Sequence, residues 1–159
     1  MSDVQEFYTP ENWRMDESVG YLVKRLSLVV SRELDRRMDA LGLTDAQWKP
    51  LLVLQQGAGK TAADIARLGC QDTGAVTRLV DRLEGKELVR RVRSEEDRRV
   101  VNLELTEEGR QVAEDVPKII AHLANQLLEG FSDTEFHQFQ DYLRRALANA
   151  QVLDQGENG

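Results

Sequence analysis

The chain has 159 residues, 41% of them apolar and 31% charged, with a formal net charge of −7. That length supports one hydrophobic core, and no apolar run approaches the ~20 residues that a membrane-spanning helix needs. The single cysteine, Cys70, excludes an internal disulfide and a CxxC metal site, and His122 and His137 lack ligand spacing.

Residues 1–15 form a polar leader carrying Phe7, Tyr8, Trp13 and Met15, an aromatic content that favours docking over a free tail. It has no basic stretch followed by an apolar one, so it is not a secretory signal, and the expected compartment is the cytoplasm. A long helix is predicted from about Asp16 to Leu41. Val19, Leu22, Val23, Leu26, Val29, Val30, Leu34 and Met38 recur there every three to four residues, and Gly42 ends it. Thr44 with Gln47 makes a capping box for a second helix, where Pro50 removes the bond to the Ala46 carbonyl. Gly57, Ala58 and Gly59 close that helix. Thr61 with Asp64 opens a short third one, and Asp72 is a good N-cap for a fourth.

The fourth helix and the segment after it are the most informative part of the chain. Val76, Leu79, Val80 and Leu83 keep helical spacing and leave Thr73, Gly74, Thr77, Arg78 and Arg82 on another face. After Leu88 the period falls to two through Val89–Arg93 and again through Val100–Leu105, which predicts a hairpin with the polar tip Ser94–Arg99. Helix, tight turn, helix and basic hairpin in that order make a winged helix-turn-helix, over residues 44–105. The expected fold is therefore mainly α with a small β wing (α+β). Between Asp72 and Arg99 eight basic side chains face seven acidic ones, so the remainder of the chain carries −8. The distribution permits contact with a polyanion, where the total alone would argue against it.

Thr73, Gly74 and Ala75 are small residues at a helix start, where a backbone can approach DNA and free N–H groups favour phosphate. A glycine there costs about 1 kcal/mol relative to alanine, which either close approach to DNA or tight packing would explain. Thr77 can meet a base or a phosphate, Arg78 can fork onto guanine, and Arg82 lies one turn on, toward phosphate. At the wing tip Arg98 and Arg99 suit phosphate and the narrow minor groove, and Asp97 is expected to orient a neighbouring arginine by a paired hydrogen bond.

Beyond the wing, a helix is expected from Thr106 to about Leu128, kinked at Pro117 and closed by Gly130. Ser132 with Glu135 opens a last helix to about Val152, and residues 153–159 read as a frayed tail. The apolar stripes of the flanking helices exceed what a small winged domain can cover. Residues 16–43 and 106–152 are therefore expected to pair with a second copy, with a monomeric helical bundle as the alternative. A two-fold dimer would match a palindromic double-stranded site.

The run DTGAVTRLVDRLEGKELVRRVRSEEDRRVVNLELTEEG resembles the signature of the MarR (multiple antibiotic resistance regulator) family. The DxGAxTRxxDRL helix, the DxR at Asp97–Arg99 and the closing LTEEG at Leu105–Gly109 match, and LTDAQWKPLLVL at 43–54 resembles the segment before the family's helix-turn-helix. The resemblance implies a homodimeric winged-helix repressor, with Arg99 inserted in the minor groove and Arg98 on the DNA backbone. It also implies release of DNA by a small phenolic or aromatic carboxylate bound between the dimerisation helices and the winged domain. The residues offered for such a ligand are Trp48 and Lys49, with Trp13, Met15, Tyr21 and Arg25 if the leader folds over. The chain departs from the family at Lys86-Glu87-Leu88, where a glycine usually comes after the reading helix. Cys70 reads as an inert turn residue sooner than a redox sensor. No Ser-His-Asp set, metal cluster or cofactor motif is visible, and Gly57-Ala58-Gly59-Lys60-Thr61 lacks the spacing of a phosphate loop. An enzyme is not expected. A winged helix used only for protein–protein contact is the competing reading.

Overall fold

The computed structural model describes residues 5–69 and 72–156, with the side chains of Thr73 and residues 154–156 outside that description. The elements are α1 (Val19–Met38), a 3₁₀ turn (Asp39–Leu41), α2 (Asp45–Gln55), α3 (Ala62–Gly69), α4 (Thr73–Gly85), β1 (Val89–Arg93), β2 (Val101–Leu105), α5 (Glu107–Leu127) and α6 (Asp133–Gly156). They fall into two compact units, Met1–Leu123 and Ala124–Gly159.

In the first unit α1 starts three residues later than its apolar pattern predicts. Ser18 is the N-cap, accepting from the Tyr21 N–H, and Asp16 and Glu17 lie in the preceding turn. The leader closes onto this start, because the Tyr8 hydroxyl accepts a hydrogen bond from the Val19 N–H at 3.0 Å. The last predicted turn of α1 tightens to 3₁₀, and Gly42 stops it at φ 66°. Only the C-terminal half of α1 reaches the core, through Leu34 and Met38, while Leu22, Val23 and Val29 stay exposed.

The Thr44–Gln47 capping box forms, and α2 continues through a buried Pro50. Leu51 from α2, Ile65 and Ala66 from α3, and Val76, Val80 and Leu83 from α4 meet Met38 in one cluster. The hairpin covers it with Val89, Leu103 and Leu105, in a register that sets Val89 against Leu105 and Arg93 against Val101. Val100, expected in the strand, belongs to the turn: its N–H goes to the Asp97 carbonyl and its carbonyl accepts from the Ser94 N–H. The free edge of β2 is met by the chain before α3, the Leu103 N–H donating to the Lys60 carbonyl at 2.7 Å.

α5 grows directly out of the hairpin. Thr106 Oγ1 accepts from the Gly109 N–H at 2.9 Å and donates to the Glu87 carbonyl at 2.6 Å. A Cβ on Gly109 would lie 1.9 Å from the Leu88 carbonyl oxygen, so only glycine permits this approach. Ala113 and Val116 complete the core from α5, and Pro117 is exposed within a continuous helix.

In the second unit Gly130 turns the chain at φ 87°, and Ser132 and Glu135 cap each other to start α6. The tail expected from residue 153 is helical in its first four residues. α6 continues to Gly156, because Leu153, Asp154 and Gln155 include no helix breaker; residues 157–159 lie outside the description. Tyr142, Leu143, Leu147, Val152 and Leu153 are exposed along α6.

Candidate nucleic-acid interface

α4 presents a core face of Val76, Leu79, Val80 and Leu83, and an opposite face with Gly74, Thr77, Arg78, Asp81 and Arg82 exposed. Thr73 begins the helix, but its side chain is outside the described set. The Asp72 carboxylate caps α4 by accepting from the Ala75 N–H at 2.9 Å. The cap expected at Asp72 thus takes one of the N–H groups at the helix start. The Ala75 donor is already taken by an internal anion, and Ala75 itself is half-buried. Among the described residues the one atom near a Cβ added at Gly74 would be Asp72 Oδ1 at 3.2 Å, so none of the described helices packs tightly against it.

Ion pairing sorts the arginines of this segment into two groups. Arg91, on β1, reaches back to α4 and holds Asp81 at 2.6 Å and Glu84 through its other terminal nitrogen. Those hydrogen bonds raise the Arg91 pKa above its usual value, Asp81 first, so it stays charged. Arg90 pairs across the hairpin with Glu104 at 2.7 Å. Lys86, at the end of α4, donates to the Gly42 carbonyl and to Oε1 of the buried Gln47 at 2.8 Å. Arg78, Arg82, Arg93, Arg98 and Arg99 make no ion pair or side-chain hydrogen bond among the described residues. The carboxylates that would otherwise neutralise the reading helix are engaged by a strand on its far side. What remains is a set of arginines on α4 and the wing that can meet an anion, those of the wing tip standing beside Glu95, Glu96 and Asp97.

The wing tip is shaped by short polar side chains. Ser94 Oγ accepts from the N–H groups of Glu96 and Asp97, each at 3.3 Å, and Asp97 Oδ1 accepts from the Arg99 N–H at 2.9 Å. The expected side-chain pair between Asp97 and an arginine is thus replaced by a turn closed on the backbone, the usual habit of an aspartate two residues before a turn donor. Both guanidinium groups at the tip stay unengaged among the described residues.

The ligand candidates fall into separate places. Trp48 donates through Nε1 to Asp45 Oδ1 at 2.9 Å, and the Lys49 ammonium stands 5.5 Å from the Trp48 ring centroid. Both line a cavity of about 220 Å³ floored by Pro50, Val53, Ile65 and Leu68. Trp13, Met15, Tyr21 and Arg25 do not line it; Trp13 and Met15 are exposed, and Arg25 stacks 5.8 Å over the Tyr21 ring. Cys70 is not among the described residues.

Sequence reasoning missed Arg91 and Lys86 as positioning residues. The acidic pair Asp81 and Glu84 on the exposed face of α4 was visible, but its partner lies across the turn into β1. Placing it needed the path of the chain after Gly85.

The family model described as MarR matches residues 43–101. The HTH-type transcriptional repressor MdtR of Bacillus subtilis is 30% identical over 129 residues, covering 81% of this chain and 83% of its own. The chain belongs to the MarR family. A mutant MarR from Escherichia coli, solved in complex with operator DNA, superposes with a TM-score of 0.72 at 27% identity, over 81% of this chain and 93% of that one. The MepR–DNA complex of Staphylococcus aureus shares the fold, with a TM-score of 0.76 at 24% identity over 86% of this chain and 99% of that one. This MarR-family chain is accordingly a DNA-binding transcriptional regulator and not an enzyme. Among the described residues no helix is long and apolar enough to cross a membrane.

Proposed function

We propose that this protein is a homodimeric repressor that holds a palindromic operator through α4 and the wing, and leaves it when a small phenolic or aromatic carboxylate binds. The observation that carries the reading is the set of unengaged arginines: Arg78 and Arg82 on α4, Arg98 and Arg99 at the wing tip. In this reading α4 enters the major groove, with Thr73, Gly74, Ala75 and Thr77 close to the duplex and Arg78 and Arg82 on bases and phosphates. Arg99 enters the adjacent minor groove, Arg98 contacts the backbone, and Asp97 fixes the turn that carries both.

Dimerisation is assigned to residues 16–43 and 106–152, around the DNA-binding region 44–105. It is supported by apolar side chains that each unit leaves in water: Val19, Leu22, Val23 and Val29 on α1, Tyr142, Leu143, Leu147 and Val152 on α6. Burying such surface is worth about 25 cal/mol per Å². The effector is assigned to the Trp48–Lys49 cavity, where a ring and an ammonium suit an aromatic anion, with Trp13, Met15, Tyr21 and Arg25 as a secondary group. Such a ligand releases DNA only if it binds the DNA-incompetent state more tightly. The protein then acts in the cytoplasm, where its DNA is.

The test is fluorescence anisotropy on duplex DNA from the gene's own upstream region. Arg99→Ala should weaken binding by about 1–3 kcal/mol for each subunit on the duplex. A panel of aromatic carboxylates should include one that releases the duplex. Binding indifferent to Arg99 would reject the DNA geometry; indifference to every acid would reject only the effector.

A further inference from the structure

The hairpin changes character as it leaves the core. The Thr106 N–H donates to the Leu88 carbonyl and the Ser94 N–H to the Val100 carbonyl, so the pairs Val89–Leu105, Arg91–Leu103 and Arg93–Val101 are those without mutual backbone bonds. The side chains of these pairs share one face and stand close, because their Cα atoms are about 4.5 Å apart in such pairs. Val89 and Leu105 are buried, Arg91 reaches across to α4 beside a buried Leu103, and Arg93 and Val101 are exposed. None of the described elements covers this last pair. Val101 is 43% exposed, and Arg93 makes no ion pair or side-chain hydrogen bond among the described residues. The carboxylates nearest to it in sequence are Glu95, Glu96 and Asp97 at the tip, and Asp97 is turned to the Arg99 N–H.

We infer that Arg93 and Val101 form a saddle that seats the sugar–phosphate strand between the two grooves of the duplex. The assignment rests on the reading that α4 lies in the major groove and Arg99 in the adjacent minor groove. Neighbouring grooves are separated by one sugar–phosphate strand, so the wing stem that joins the two contacts must cross it. Arg91 fixes that stem to α4 through Asp81 and Glu84, and Arg93 follows on the same face, two residues or about 7 Å nearer the tip. Its guanidinium offers paired N–H donors to two oxygens of one phosphate, and Val101 beside it offers an apolar surface to the adjoining deoxyribose.

A phosphate held at the stem positions the protein and reads no base. The stem is braced on both sides of the saddle, by Arg91 toward the core and by the Ser94 and Asp97 turn toward the tip. Seating the strand there therefore sets how far Arg99 extends beyond it. The other face of the two strands carries a single cation, Arg90, and Glu104 already holds it at 2.7 Å. Only the face that bears Arg93 and Val101 has both a free cation and an open apolar neighbour.

The experiment is fluorescence anisotropy of the full chain over a salt series, on duplex DNA from the gene's own upstream region and on a scrambled duplex of the same composition. Arg93→Gln should weaken binding to both by the same factor, about tenfold for each subunit at low salt, as loss of a charge-assisted hydrogen bond requires. It should also lower the slope of log affinity against log salt by about 0.9 per subunit. Arg93→Lys should keep the slope, and Val101→Asp, which sets a carboxylate against the phosphate, should weaken binding at least as much as Arg93→Gln. Arg90→Gln, on the opposite face, should leave the slope unchanged. A slope unchanged in Arg93→Gln while Arg99→Ala weakens binding overturns the saddle and leaves the groove reading standing. If Arg99→Ala is without effect as well, the groove reading falls and the saddle with it. A loss confined to the upstream duplex would make Arg93 a base contact and overturn the phosphate assignment.

Discussion

Replacing Arg91 with glutamine tests the sorting of charges that leaves the reading helix cationic. The change frees Asp81 and Glu84, which Arg91 now holds from the wing. Asp81 lies three residues from Arg78, and a helical pair at that spacing is worth about 0.2–0.5 kcal/mol, which DNA must then break. The local cluster also gains one net negative charge. At about 10 Å from a phosphate this costs about 0.4 kcal/mol in water before screening, and about two phosphates lie within a Debye length. Before screening the two effects come to about 1 kcal/mol per subunit, which salt reduces. That is at most about fivefold in affinity, and at most about thirtyfold when two subunits engage one duplex. The assay is anisotropy at fixed salt, with Arg90→Gln as the comparison. That variant removes an equal charge but frees Glu104 on β2 and no carboxylate of α4. Adding Asp81→Asn and Glu84→Gln to the Arg91 variant should restore most of the affinity. If Arg91→Gln and Arg90→Gln weaken DNA binding equally, the proposed division of labour among the arginines is wrong.

Three further outcomes are expected from the backbone and the caps. Glu87 is the non-glycine residue with positive φ among those described, at 58°. Glu87→Gly should remove about 1–2 kcal/mol of left-handed strain against about 0.5–1 kcal/mol of added chain entropy, raising the thermal midpoint by about 1–4 °C. Gly109→Ala should destabilise by about 1–3 kcal/mol or more in a urea melt, because its Cβ meets the Leu88 carbonyl. Hydrogen bonds from the Lys60 N–H, then from Thr61, and from Arg67 lower the Asp64 carboxyl from 3.8 to about 2. A depressed folded pKa gives stability that is fully present above the ordinary value and is lost as pH falls toward the folded one. Acid melts of Asp64→Asn should therefore show a shallower decline than wild type between about pH 4 and pH 2, from a lower starting stability.

How much was legible in the sequence depends on how local each determinant is. The caps at Thr44, Thr61, Asp72 and Ser132 could be read because each signal spans three or four residues, and the α4 core face because its period is regular. The start of α1 was misplaced because Asp16 and Ser18 are both capable caps and the apolar pattern does not choose between them. Asp97 does bond a neighbouring arginine, Arg99, but through its backbone N–H, because an aspartate before two arginines can serve either a side-chain or a backbone donor and only turn geometry decides. Arg91 and Lys86 escaped because their partners lie across a turn or about 40 residues away. The Lys86-Glu87-Leu88 departure was visible, but not its consequence, a glutamate in the backbone conformation that usually takes glycine.

The most direct test of the central claim is the salt dependence of affinity for duplex DNA, measured for the wild type and for Arg98→Ala. If the unengaged arginines meet phosphate, log affinity falls linearly with log salt. Removing one arginine–phosphate pair per subunit then lowers the slope by about 0.9, or about 2 for a dimer on one operator. A wild-type affinity that ignores salt, or a slope unchanged in the variant, would contradict the account.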